Sequence, residues 1–155
     1  MSYLPSIIAA VLTPRLSDLF VSDRPEHRRM ALRGLAGSAG LAVLVGAAAY
    51  ILAMPLLVWL FGAEFAPAAS PFRILCLGLP LVFSIWVLHA IIISVNREHL
   101  LVKTALVGLA VNVSLNLYVI PRMGADGAAL ATVVGEFVSM TILIGGVVAA
   151  FRAPR

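Results

Sequence analysis

Between Gly34 and Phe151 the sequence consists of four long apolar runs parted by short polar breaks, and this alternation decides what the chain can become. The runs cover about residues 34–61, 74–95, 100–120 and 127–151. Each has roughly the 20 residues a helix needs to cross ~30 Å of hydrocarbon. Of 155 residues, 62% are hydrophobic and 12% charged, against roughly half and a quarter in soluble domains. A small soluble fold leaves too much of its chain exposed to hide that apolar surface. With lipid as solvent the difficulty disappears. The expected fold is an all-α integral membrane protein with four full transmembrane helices and a partial one before them.

The breaks refine this plan. The apolar run from Tyr3 to Leu12 is too short to span, and reads as the end of a truncated helix. The first 20 residues lack a basic n-region and an A-x-A-like site, so they do not read as a signal peptide. A charged segment follows, with Arg15, Arg24, Arg28, Arg29 and Arg33 against Asp18, Asp23 and Glu26. Residues 1–33 therefore divide from a four-span domain over 34–155. Pro25 after Asp23-Arg24 predicts a helix start. Pro55 should kink the first span, Ser70-Pro71 should cap and open the second, Pro121 should end the third, and Asp126 should cap the fourth.

Basic residues give the orientation, because Lys and Arg are retained on the cytoplasmic side. Nine of them fall in three alternate segments: residues 15–33, the hinge with Arg97 and Lys103, and the tail with Arg152 and Arg155. The opposite side holds only Arg73 and Arg122. Residues 15–33 and the C-terminus are expected in the cytoplasm. This distribution accounts for the +4 net charge without nucleic acid as a partner. Trp59, Phe61 and Tyr118, near span ends, fit an aromatic belt, and the deeper Trp86 fits packing.

Small residues at four-residue spacing mark helix contacts in lipid. They form stripes at Gly34, Ser38, Ala42 and Gly46, at Gly127, Ala131, Gly135 and Ser139, and, with polar members, at Thr104, Gly108, Asn112 and Asn116. So many contact faces in a short chain predict a larger bundle or self-association.

No catalytic motif, metal-ligand spacing or cofactor loop is present in the sequence, and Cys76 is the single cysteine. The residues that call for explanation are polar ones inside spans. Asn112 and Glu136 lie almost equally far from the PRMGADG break, so a helical hairpin puts them at one depth. A mid-membrane carboxylate costs about 2.5–3.5 kcal/mol on insertion scales and needs pairing, protonation or a polar cavity. Glu136 is then either a coupling or cargo-lining group, or, as we prefer on sequence grounds, a register lock bonded to Asn112. Asn112 and Asn116 share one helix face and serve as cavity lining or interhelical glue. His89 reads as a hydrogen-bonded bundle histidine before a pH sensor. Arg24, Arg28, Arg29 and Arg33 are candidate contacts for an anionic head group or pyrophosphate, although topology alone would also place them here.

The stretch NVSLNLYVIPRMGADGAALATVVGEF, residues 112–137, resembles the polysaccharide-biosynthesis (Wzx-type) flippases of the multidrug/oligosaccharidyl-lipid/polysaccharide exporter superfamily. There, paired asparagines run into an Ile-Pro, a glycine turn, a GAALAT-like string and often a Glu one turn on. Pro14-Arg15-Leu16-Ser17, the LFGAEF turn at residues 60–65, and Ser94-Val95-Asn96-Arg97 agree in order, with Asn96 where the family has Gly. The resemblance implies the C-terminal portion of a two-lobe transporter of twelve to fourteen helices. It implies alternating access in the bacterial inner membrane, with a polyprenyl-pyrophosphate-linked oligosaccharide as cargo and an N-terminal lobe as partner. Two other readings stand beside it. One is a small self-associating drug or cation exporter, and the other is a non-transporting membrane partner of a polysaccharide synthesis complex.

Overall fold

The computed structural model describes residues 3–152, so Arg155 of the predicted cytoplasmic tail lies outside the described residues. The order is α1 (Tyr3–Ser22), α2 (Arg24–Phe61), a short 3-10 segment (Ala63–Ala68), α3 (Ala69–Ser94) and α4 (His99–Arg152). Four of these helical stretches are long and apolar enough to cross a membrane. The chain is an all-α, multi-pass membrane protein.

α4 is a hairpin. At Gly124, φ 56 and ψ −130 break the helix and turn the chain back on itself. The two arms then close with an even step. A Cβ at Gly127 would lie 2.8 Å from the Val119 carbonyl oxygen, and one at Gly135 would lie 3.7 Å from Asn112 Cβ. Further along, one at Gly108 would fall 2.7 Å from Ser139 Oγ and one at Gly146 2.7 Å from Leu100 Cδ1. Side-chain-free positions let the backbones approach this closely. The helix runs through Pro121, the expected stop, and breaks three residues later. Proline fixes a φ that a helix already uses and costs one hydrogen bond, whereas Gly124 adopts a positive φ that L side chains rarely reach.

α3 is the centre of the bundle, packed by α1, α2 and both arms of α4. Its residues Phe83, Val87, Leu88, Ile91 and Ile92 form the core, together with Leu16 of α1, Ala31 of α2 and Leu143 of α4. Ser38, Ala42 and Gly46 of α2 are buried, and a Cβ at Gly46 would meet the Cys76 carbonyl of α3 at 2.9 Å. The other two stripes face one another across the α4 hairpin. All three small-residue faces are thus satisfied within the chain, and they do not by themselves demand a larger bundle. Apolar side chains are left exposed on every long helix: Leu4, Ile7 and Val11 on α1, Leu44, Ile51 and Trp59 on α2, Leu77 on α3, and Leu106, Leu117 and Phe137 on α4.

Several local expectations change. α1 continues past Leu12 through Pro14 to Ser22 as one 20-residue helix, about 30 Å long. α2 runs unbroken from Arg24, joining the charged segment to the first span and passing through Pro55. Its start is as expected: the Asp23 side chain accepts from the Glu26 amide at 3.0 Å, and Pro25 sits in the first turn. Ser70 and Asp126 do not cap their own helices. Ser70 Oγ donates to Asp126 Oδ2 at 2.9 Å, tying the start of α3 to the start of the second α4 arm. Asn96 takes φ 54 in the α3–α4 hinge, a conformation asparagine tolerates almost as glycine does.

Candidate functional site

The sequence-predicted polar residues separate into two places. The first is the groove between the α4 arms. Asn112 and Glu136 both line a cavity of about 230 Å³ there, with Gly108, Thr132, Gly135 and Ser139. The equal depth read from the spacing is therefore realised. The bond between them is not: Asn112 Oδ1 accepts from Asn116 Nδ2 at 2.9 Å, one turn along the same helix. The reason is geometric. Gly135, not Glu136, points at Asn112, and one residue on a helix is about 100° away. No hydrogen bond or ion pair reaches the Glu136 carboxylate among the described residues. Asn116 lies outside this groove, against Val113, Leu117, Ile120 and Pro121, and its buried Oδ1 has no donor. An unpaired buried acceptor costs about 1–3 kcal/mol. Asp126 Oδ1, near the turn, is likewise buried without a donor, so the hairpin carries three acceptors in want of donors.

His89 is half-buried on α3 and meets Trp86 edge-on at a ring-centroid distance of 5.8 Å. It makes no hydrogen bond among the described residues, contrary to the expected bonded histidine. It is remote in sequence and element from the α4 groove and does not line it.

The second place is the opposite end of the bundle from Gly124, where α1 ends, α2 begins, α3 ends and α4 ends. His27 is the meeting point. Only 1% exposed, it packs edge-on against Phe20 of α1 at 5.4 Å and Phe151 of α4 at 5.6 Å. Its Nε2 lies 2.9 Å from Ser94 Oγ of α3. The Ser94 hydroxyl spends its one proton on the Ile91 carbonyl at 2.7 Å, so His27 Nε2–H is the donor. Burial pushes His27 below its ordinary pKa near 6.5, and the Arg24 guanidinium pushes the same way. Sequence reasoning passed over His27, which stands among arginines outside the apolar runs; only the convergence of four helix ends makes it central.

Around His27 lies a cavity of about 520 Å³ walled by Arg24, Arg28 and Arg29, with Phe20, Leu32 and Phe151 as its apolar side. Arg24 stacks over the Phe20 ring at 4.9 Å. Arg29 and Arg33 share Glu26 at 3.7 and 3.8 Å. Arg33, the fourth candidate head-group contact, does not line the cavity. The same end carries Arg97 in the hinge and Arg152 at the end of α4, while Arg73 and Arg122 lie toward the Gly124 end, so the basic asymmetry of the sequence becomes a spatial one.

No family model matches the chain, and no curated protein or solved structure matches it.

Proposed function

We propose that the chain forms part of one lobe of an alternating-access transporter that moves a polyprenyl-pyrophosphate-linked oligosaccharide across the bacterial inner membrane. In this reading residues 15–33 and the C-terminus face the cytoplasm, and an N-terminal lobe completes the cavity. One observation carries it: Glu136, with no hydrogen bond or ion pair among the described residues, lines a cavity between the two arms together with Asn112, Thr132 and Ser139. Placing such groups in a membrane is costly and is repaid by a polar occupant. A sugar head group, dense in hydroxyl donors, is such an occupant, and its lipid tail stays in the bilayer. The resemblance of residues 112–137 to Wzx-type flippases points the same way.

The test is deletion of the coding sequence in its host, with surface polysaccharide and the sidedness of the lipid-linked precursor as readouts. Loss of surface polysaccharide with precursor held on the cytoplasmic leaflet is expected, and complementation by Glu136→Gln should be weaker than by the unaltered chain at equal abundance. Unchanged surface polysaccharide in the deletion would end the proposal. Full complementation by Glu136→Gln would leave the carboxylate a packing group.

A further inference from the structure

We infer that the cavity beside His27 is a seat for one anionic glycerophospholipid, its phosphate held by Arg24, Arg28 and Arg29 and an acyl chain lying over Leu32 and Phe151. This assignment is independent of the transport reading.

Three features argue for a built site. The first is convergence. Arg24 and Arg28 are four residues apart on α2 and Arg29 adjoins them, so three guanidinium groups border one cavity of about 520 Å³. No acidic side chain lines it. Of the nearby carboxylates, Asp23 caps its own helix by accepting from the Glu26 amide at 3.0 Å, and Glu26 is divided between Arg29 and Arg33. Arg28 has no ion pair among the described residues, and Arg24 is positioned by the Phe20 ring rather than by a countercharge. The wall keeps its positive charge.

The second feature is polarity along the bundle axis. The arginines sit on the first turns of α2, before the apolar stretch that begins at Gly34, and Leu32 and Phe151 lie where the apolar arms end. Charged and apolar walls in one cavity, beside the start of the apolar stretch, suit a phospholipid at the interface. A soluble phosphate would have no use for the apolar half. The third feature is chemistry: guanidinium groups grip phosphate oxygens with paired N–H donors, and each basic residue near an anionic surface adds attraction that multiplies.

Topological retention would make all arginines of the segment equivalent, and the structure does not. Arg33 carries the same charge on the same helix but lies outside the cavity. It is the internal control.

The experiment is native mass spectrometry of the full chain, released from nanodiscs of phosphatidylcholine containing a minor fraction of phosphatidylglycerol. The unaltered chain should retain one phosphatidylglycerol in preference to phosphatidylcholine. Arg28→Gln should reduce that retention about fivefold, and Arg24→Gln with Arg28→Gln by more than tenfold. Arg33→Gln should leave it within about twofold, the scale expected of a charge outside the site. Far-UV helicity checks that each variant is folded, and Arg28→Lys, which keeps charge but not the paired donors, should fall between. Equal retention of the two lipids, or equal losses for Arg28→Gln and Arg33→Gln, overturns the site. Displacement of the lipid by millimolar glycerol 3-phosphate overturns the lipid as occupant, since it would show a head-group phosphate site without use of the acyl chain.

Discussion

Replacing Gly127 by alanine tests the hairpin more sharply than any polar substitution, because a second glycine on the same arm supplies the reference. A Cβ at Gly127 would stand 2.8 Å from the Val119 carbonyl oxygen and 2.9 Å from Val119 Cγ1, whereas a Cβ at Gly145 meets nothing within 4 Å. Both substitutions gain the helix preference of alanine over glycine, about 1 kcal/mol. That gain cancels in the difference between them. What remains is the collision, and its backbone component cannot be relieved by a rotamer change. Restoring ordinary contact parts the arms by about 0.6 Å, and a gap of that size forfeits a quarter to a half of the dispersion at contacts beside it. Overpacking of this kind costs about 1–3 kcal/mol. Gly145→Ala should therefore stabilise the chain by up to about 1 kcal/mol, and Gly127→Ala should lie about 1–3 kcal/mol below it. Unfolding by sodium dodecyl sulfate in mixed micelles, followed by helicity, measures both. Equal midpoints, or Gly127→Ala the more stable of the two, would refute the close-packed hairpin.

Two further outcomes follow from the ends of the bundle. His27 is buried with its pKa lowered, so the unfolded chain binds a proton that the folded chain declines; its contribution to stability is present above its ordinary pKa near 6.5 and is lost as pH falls below it. His27→Gln, which keeps an N–H donor toward Ser94 without titrating, should flatten the decline below about pH 6.5 in the same unfolding assay; an unchanged slope would remove His27 as its source. At the other end, a double-mutant cycle on Ser70→Ala and Asp126→Ala should return a coupling of about 1 kcal/mol, the usual worth of one such hydrogen bond, and additive losses would mean that the tie between α3 and the second α4 arm contributes nothing.

Much of the helix layout was legible because lipid imposes a simple rule: a segment satisfies its own backbone and shows its apolar face outward. The hairpin, its depth matching and the small-residue stripes could be read by counting, since helical periodicity converts sequence spacing directly into position. Side-chain partners could not. Asn112 and Glu136 share a depth yet miss one another by the turn of a single residue, and Ser70 and Asp126, each suited to capping its own helix, are bonded across 56 residues of sequence. One helix end was also misplaced, because Pro121, a stop signal in water, is carried within the helix here.

By itself, the sequence determined that this is a helical membrane protein, where its hairpin folds, and which end gathers positive charge, since all three follow from hydropathy and periodicity along one dimension. Only the tertiary structure decided that α3 is the centre, that His27 joins four helix ends, and that three of four neighbouring arginines surround one cavity. Those facts depend on which faces of separate helices meet, and packing between elements distant in the chain is set by shape at the contact, which no local pattern encodes.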